Sequence, residues 1–288
     1  MKSKDWAAFI LLGLVWGTSF LWIKIAVREI GPLLLVALRL LIGILGLFFY
    51  VAWTHPKFPL NRQTWVQLTI LGLINNAIPY LLISWGEIYI DSAVAAILNS
   101  TAPLFTMVLA HFILTDDPMT KKRVIALLVG FLGIIILMER DLNGSFGRGF
   151  LGQAAVLLAA LFYSISSIYA RRITSDQPAA IRAILPLIGA DILIWLLTPL
   201  VEKPLVLPHL SLTWLAVIWL GVMGVSLAYI LYFYLLHSVG PTRTILVTYV
   251  FPLMGVILGV LFLGEKLDWN LVVGGSMIIG GIVLVNRQ

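Results

Sequence analysis

The chain is a succession of apolar runs, most of them about as long as a helix that crosses a lipid bilayer, and this pattern limits the possible folds most strongly. Ten runs can be counted, at 6–26, 32–52, 65–88, 92–114, 124–137, 150–170, 181–200, 213–236, 242–263 and 269–285. A helix needs about 20 residues to cross about 30 Å of hydrocarbon. The runs lack the alternation of barrel strands, and lipid offers backbone amides no hydrogen-bond partner. The sequence therefore predicts an all-α integral membrane protein with ten transmembrane helices.

Composition supports this class and limits the chemistry of the chain. Hydrophobic residues make up 61% and charged residues 11%, whereas an ordinary soluble domain has about 25% charged residues. The connections are too short for an extramembrane domain. The chain has no cysteine, so neither disulfides nor thiolate metal sites can form. We expect no cofactor and no metal.

The distribution of basic residues predicts how the helices are oriented. If the N-terminus is cytoplasmic, the inner segments carry twelve Lys and Arg residues and the outer segments carry six. Basic residues concentrate on the cytoplasmic side of membrane proteins, so both termini are expected in the cytoplasm, in a cell (inner or plasma) membrane. This orienting charge accounts for the formal net charge of +6. The bilayer is therefore the expected partner, and nucleic acid is not.

The chain also repeats itself, because positions of its first half recur 149 residues later without a gap. The residues that recur are Trp65, Gly72, Tyr80, Pro103 and Leu114, which fall on Trp214, Gly221, Tyr229, Pro252 and Leu263. Asp116 falls on another acid, Glu265. Each copy contains five spans, and because five is odd the second copy must enter the membrane from the opposite side. The sequence predicts two inverted five-helix repeats, 1–140 and 149–288, with a linker at 141–148.

Motifs at matching places in the two halves suggest a family. They are Trp16-Gly17, Lys24, Arg39 and Pro103 in the first half, and Pro252-Leu253, Leu263-Gly264-Glu265-Lys266, Gly274, Gly275, Gly280 and Gly281 in the second. In this order and spacing the chain resembles the drug/metabolite transporter superfamily, of the EamA type. The first half departs from the family pattern at residues 115–118, where Thr-Asp-Asp-Pro stands. The resemblance implies a ten-helix transporter that exports amino acids or related compounds.

Polar and aromatic groups inside the spans are the candidate substrate-binding residues. Asn76 and Tyr80 lie four residues apart on one helical stripe, and facing lipid would leave them without partners. Pro103 and Pro252 interrupt two equivalent spans and are predicted hinges. The residues predicted to line a central cavity are Trp16, Asn76, Tyr80, Asn99, Tyr163, Tyr229 and Tyr249. Such a cavity suits a moderately amphipathic small molecule.

Two charged residues lie within the spans. Arg39 and Asp191 differ in depth by about three residues, or about 4.5 Å along a helix axis, so the two side chains could form an ion pair. Two functional alternatives remain open. Arg39 could hold a substrate carboxylate, or Asp191 could carry a proton.

The leading functional hypothesis is a secondary transporter that exports small organic metabolites, such as amino acids, by alternating access through a cavity between the inverted repeats. Its partners would be the substrate and protons; the sequence does not indicate an oligomeric state. A multidrug or quaternary cation exporter is the alternative, although the small four-helix pumps use a glutamate that 6–26 lacks. A sugar-phosphate exchanger would need more converging cations.

Two other classes are also considered. An intramembrane enzyme would need a nucleophile with its base or clustered metal ligands, and the chain has no His-Glu-x-x-His or Gly-x-Ser-x-Gly motif. We therefore expect no enzyme activity and no catalytic residues. A membrane scaffold without transport activity would tolerate replacement of Asn76, Tyr80 or Tyr249.

Overall fold

A computed structural model describes residues 2–58, 61–113, 119–140, 147–173 and 177–286, and helices dominate these ranges. The ten long helical segments are α1 (Ser3–Ala26), α2 (Pro32–Thr54), α3 (Arg62–Tyr89), α4 (Ser92–Ile113), α5 (Lys121–Glu139), α6 (Arg148–Ile173), α7 (Ala179–Val201), α8 (Ser211–Ser238), α9 (Ile245–Leu263) and α10 (Trp269–Asn286). All except α5 and α10 are long and apolar enough to cross a membrane, which makes eight. The protein is thus an all-α, multi-pass membrane protein.

The helix ends follow ordinary capping chemistry. Asn61 starts α3 by accepting a hydrogen bond from the Thr64 amide, and Thr120 starts α5 in the same way. Pro32 occupies the first position of α2, where its missing amide proton costs nothing. After α9 the chain turns at Gly264, whose φ of 69° favours glycine. Because Thr120 caps α5, the helix begins at Lys121, three residues before the predicted start of the apolar run at 124. The added first turn is basic.

Alternate helix ends meet on one side of the bundle, which we call the distal face because α1 ends there. Lys24 at the end of α1 donates to the Ile90 carbonyl after α3. Arg148 at the start of α6 lies over the Tyr89 ring at the end of α3. On the opposite, N-terminal face, the Tyr234 hydroxyl near the end of α8 donates to Asp5 near the start of α1. Consequently α1 and its counterpart α6 run in opposite directions.

Equivalent helices of the two halves also pack against each other antiparallel. Glycines permit these close crossings, since an added Cβ at Gly255 of α9 would meet Ala96 of α4, and one at Gly259 would approach Ser92. In the pair formed by α5 and α10, a Cβ at Gly133 would meet the Gly274 carbonyl oxygen at 2.7 Å. Antiparallel contact between counterparts is the arrangement that a twofold axis in the membrane plane produces. The predicted inversion of the two repeats is confirmed.

Both halves depart from regular α-helix at equivalent places. A π-helical turn occupies Leu73–Ala77 in α3, and a longer one occupies Trp219–Leu227 in α8. In α4 the helix is interrupted at 100–101, immediately before Pro103. In α9 a 3₁₀ segment, Ile245–Tyr249, precedes Pro252. The expected irregularities at both prolines are thus present. The π-helical turn of α3 is followed by Pro79, whereas the turn of α8 has no proline beside it.

Candidate functional site

Two asparagines in the π-helical turn of α3 form the centre of a polar cluster between the halves. Asn76, only 1% exposed, donates from its amide nitrogen to the Tyr229 hydroxyl of α8. The Asn75 amide donates to the same hydroxyl at 3.3 Å, and Asn76 also contacts the Tyr80 hydroxyl at 3.4 Å. π-helical turns are frequent at functional sites. The structure thus brings together three predicted residues, Asn76, Tyr80 and Tyr229, and adds Asn75.

The π-helical turns receive a further hydrogen bond from equivalent helices. Ser166 of α6 donates to the Asn75 side-chain oxygen at 2.7 Å. Trp16 of α1, the counterpart of α6, donates from its indole nitrogen to the Gly224 carbonyl of α8 at 3.1 Å. The two halves therefore use related contacts at the same depth, although the residue types differ.

Aromatic rings extend from this cluster along α8. Tyr229 lies 6.2 Å from Phe233, and Phe233 lies 5.3 Å from Tyr232, measured between ring centroids. Trp16 lies 5.8 Å from Tyr232 and 6.0 Å from Phe251. We call these five residues the aromatic row. Apolar groups can stack on such rings while the tyrosine hydroxyls supply hydrogen bonds.

Arg39 of α2 contacts the cluster by a cation–π interaction with Tyr80. Its guanidinium carbon lies 3.8 Å from the centroid of the Tyr80 ring, and the residue is only 4% exposed. No ion pair links Arg39 to Asp191 among the described residues; Asp191 is buried with its Oδ1 lacking a hydrogen bond. The contact considered from the sequence is therefore replaced by stacking on Tyr80.

The remaining predicted residues lie at several places. Asn99 is buried in α4 at the helix interruption, and its side-chain oxygen has no hydrogen bond within the described ranges. Tyr163 of α6 packs against both clusters of buried hydrophobic residues. The Tyr249 hydroxyl donates to the Ile282 carbonyl of α10 at 2.9 Å. At the break before Pro103, Ser164 of α6 donates to the Ala102 carbonyl.

Carboxylates fasten the distal face by binding helix starts in the opposite half. Glu202 accepts from the Leu33 and Leu34 amides at the start of α2, at 2.7 and 3.0 Å. Glu265 accepts from the Ser92 and Ala93 amides at the start of α4, again at 2.7 and 3.0 Å. The helix dipole and the unpaired amides of a first turn both favour a carboxylate there. Glu265, known from the sequence only as part of a motif, is thus a contact between halves.

A third carboxylate belongs to the first half and binds a helix start in the second half. Glu29 accepts from the His209 and Leu210 amides at the start of α8. The Thr213 hydroxyl, followed by these two amides, holds the pKa of the Glu29 carboxyl below its usual value. Glu29 therefore stays ionised over a wider range of pH than an isolated glutamate.

A charged pocket of about 290 Å³ opens on the same face. Its lining is Lys24, Arg28, Asp91, Arg140, Leu263, Gly264, Glu265 and Lys266. Arg140 at the end of α5 pairs with Asp91 at 2.6 Å and with Asp268 before α10. Within the described ranges no group of three or more His, Cys, Asp or Glu residues could hold a metal ion. Asp116, Asp117 and most of the predicted linker, 141–146, lie outside the described residues.

A bundle of long apolar helices in two antiparallel halves, with polar groups buried where the halves meet, defines a membrane transporter with inverted repeats. Comparison with known proteins agrees. The chain belongs to the EamA-like transporter family, which matches residues 6–139 and again residues 150–287. The family is one of transporters and not of enzymes, and this chain is accordingly a multi-pass membrane transporter.

Individual relatives are distant but cover the whole chain. The uncharacterized transporter YoaV of Bacillus subtilis is 22% identical over 98% of this chain and 96% of its own length. The uncharacterized inner membrane transporter YedA of Escherichia coli is 29% identical over 96% and 89%. A probable amino-acid metabolite efflux pump of Salmonella typhimurium is 24% identical over 99% and 95%. A solved crystal structure with 21% identity shares the fold, with a TM-score of 0.69 over 99% of this chain and 96% of that chain.

Proposed function

We propose that this protein exports small organic metabolites, amino acids among them, by alternating access through a site between its two halves. One observation carries the proposal: Tyr229 of the second half receives hydrogen bonds from Asn75 and Asn76, which lie in the π-helical turn of the first half. Buried amides and hydroxyls in a membrane bundle mark substrate pathways. The Salmonella relative named as a probable amino-acid metabolite efflux pump supports the substrate class.

Alternating access would use the irregular helices as hinges. The breaks before Pro103 in α4 and Pro252 in α9 lie at equivalent positions in helices that cross antiparallel. Bending there would separate the halves on one face while they close on the other. The carboxylate contacts of Glu29, Glu202 and Glu265 support a state closed at the distal face.

The proposed orientation assigns the two faces of the bundle to the two sides of the membrane. The excess of Lys and Arg on the N-terminal face favours a cytoplasmic location of that face and of both termini. Substrate would then enter from the cytoplasm while the distal face is closed and leave when that face opens. The relative YedA is named as an inner membrane transporter, and this name supports an inner or plasma membrane as the location of this protein.

A quaternary cation exporter is the second candidate, because the aromatic row could stack on a cation. The charge of Arg39 argues against it, since the guanidinium beside Tyr80 would repel a cationic ligand. A sugar-phosphate exchanger receives less support, because a phosphate is usually held by several converging cations.

Transport by purified protein in liposomes tests the proposal. Liposomes loaded with unlabelled amino acids should exchange labelled amino acid faster than empty liposomes, and the rate should be measured with and without a proton gradient. Asn76→Ala should lower the rate about tenfold, the effect expected from a lost buried hydrogen bond. Asn270→Ala, which loses one bond to the Ile136 carbonyl on α5, is the matched control.

Two outcomes would contradict the proposal. One is a native protein that accelerates exchange of no amino acid or related metabolite under either gradient. The other is an Asn76→Ala protein that is as active as the Asn270→Ala control, because the cluster would then have only a structural role.

A further inference from the structure

Arg39 carries a buried charge that the described protein does not neutralise. The side chain is 4% exposed in the second turn of a transmembrane helix that begins at Pro32, and its Nε has no hydrogen-bond partner. A charged group at this depth is costly in free energy unless it is paired. The stacking on Tyr80 offsets only part of this cost. A counter-ion is therefore missing from the described contacts.

The neighbouring acids do not supply it. Glu87 on α3 is fully buried with neither carboxylate oxygen hydrogen-bonded, and Asp191 on α7 is 5% exposed with a free Oδ1. Among the described residues neither acid forms an ion pair with Arg39. Lys24, near Glu87, donates instead to the Glu87 and Ile90 carbonyls, at 2.6 and 2.8 Å.

The geometry around the guanidinium leaves one side open. Tyr80 covers a face of the group, so the N–H donors at its edge remain for another ligand. Next to that edge lies Gly224, in the π-helical turn of α8. A Cβ added at Gly224 would sit 3.6 Å from an Arg39 terminal nitrogen and 3.5 Å from the Ser19 hydroxyl, which is ordinary contact. A side chain is thus absent where a small ligand group could approach the Arg39 nitrogen and the Ser19 hydroxyl, which in this structure donates to the Val15 carbonyl at 3.3 Å.

We propose that Arg39, beside Gly224 and the Ser19 hydroxyl, forms a subsite for the carboxylate of the transported molecule. This inference rests on the proposed function and narrows it to carboxylate-bearing metabolites. The guanidinium fork matches a carboxylate through two parallel hydrogen bonds. The same subsite adjoins the aromatic row, because Trp16 donates to the Gly224 carbonyl. The apolar part of an amino acid would stack on those rings.

The test compares two ligands that differ only in the carboxylate. Phenylalanine and phenylalaninamide should each compete against labelled phenylalanine for exchange in liposomes. The native protein should prefer the acid about tenfold to a hundredfold, the range expected for hydrogen bonds to a charged group. Arg39→Gln should bring the preference close to one, and Arg39→Lys should retain part of it.

Matched variants separate the subsite from general effects of charge. Arg148→Gln removes another arginine that lies over a tyrosine, at the distal end of α3, and should keep the native preference. Glu87→Gln and Asp191→Asn should also keep it. If either acid variant loses the preference as Arg39→Gln does, an internal acid and not the substrate is the partner of Arg39, and the inference is wrong.

Binding measurements protect the test against a misfolded variant. Phenylalanine should raise the melting temperature of the native protein and of Arg39→Lys, but not of Arg39→Gln, while the unliganded melting temperatures report folding. A native protein that transports acid and amide equally well would overturn the subsite but not the transporter. A native protein that transports neither of these two compounds nor any other amino acid or related metabolite would contradict the proposed function itself.

Discussion

At the scale of single residues, one hydroxyl connects the two halves of the site. The Tyr229 hydroxyl oxygen accepts hydrogen bonds from the side-chain amides of Asn75 and Asn76, and Asn76 is almost completely buried. In a low-dielectric interior a satisfied network of this kind is stable, while a buried donor without its acceptor is costly. We therefore expect the hydroxyl of Tyr229 to contribute more to the stability of the fold than the packing of its aromatic ring.

Tyr229→Phe tests this, because it removes only the oxygen. We expect the free energy of unfolding to fall by about 1–3 kcal/mol as the buried amides lose their acceptor, which a melting curve in detergent would detect. Tyr50→Phe is the control, since Tyr50 is also partly buried but its hydroxyl has no hydrogen bond within the described part of the chain. Equal melting temperatures for the two variants would contradict the network.

Some of these residues could be predicted from the sequence and others could not. Asn76, Tyr80 and Tyr229 are polar residues within apolar spans, and this position alone makes them candidates for the site. Asn75 lies on a different side of a regular helix, and only the π-helical turn lets both asparagines reach one hydroxyl. The stacking of Arg39 on Tyr80 depends on how α2 and α3 pack, which helix depth alone does not determine.

At the scale of helices, glycines set the closest crossings. A Cβ at Gly72 of α3 would lie 1.8 Å from the Pro186 carbonyl oxygen of α7, which is backbone and cannot turn aside. A Cβ at the equivalent Gly221 of α8 would lie 2.6 Å from the Ile42 side chain of α2. The repeated glycine seen in the sequence is therefore explained by helix contact between the halves.

Gly72→Ala should consequently be severely destabilising, because overpacking that requires backbone shifts costs roughly 1–3 kcal/mol or more. Gly280→Ala in α10 is the matched control. No atom lies within 4 Å of a Cβ there, and alanine favours a helix by about 1 kcal/mol over glycine. Yields of folded protein and melting temperatures should separate the two. A stable Gly72→Ala protein would mean that α3 and α7 do not cross so closely.

At the scale of the whole molecule, the inverted arrangement could be predicted because an odd number of spans per repeat leaves no other choice. The contacts that close the distal face could not. Glu202 and Glu265 lie in connections, and their targets at the starts of α2 and α4 are more than 160 residues away in the chain. Only the packed bundle brings these carboxylates to the opposite half.

The orientation of the bundle can be measured directly, since the chain has no cysteine of its own. Lys203→Cys places a thiol at an exposed site after α7 on the distal face, and Lys57→Cys places one after α2 on the N-terminal face. A membrane-impermeant reagent added to intact cells should label position 203 and should label position 57 only after lysis. The reverse pattern would contradict the proposed cytoplasmic location of the N-terminal face.

The carboxylates of the distal face should control how often that face opens. Each contact is comparable to a helix cap of about 1 kcal/mol, so the double variant Glu202→Gln with Glu265→Gln should increase opening by about tenfold or more. A thiol introduced at Ser84, buried on α3, would report this through faster labelling from outside. Glu139→Gln, at the distal end of α5, should leave the labelling rate unchanged. Equal rates in both backgrounds would show that the carboxylates do not hold the face closed.

The pairing of α5 with α10 also bears on biosynthesis. The glycine-lined surface of α5 packs against α10, around Gly133 and Gly274. The helices α6 to α9 lie between them in the chain and are synthesised before α10, so the partner surface of α5 faces lipid or another helix while these four helices are inserted. The first half can cross the bilayer early, but its packing is completed only after α10 has been inserted.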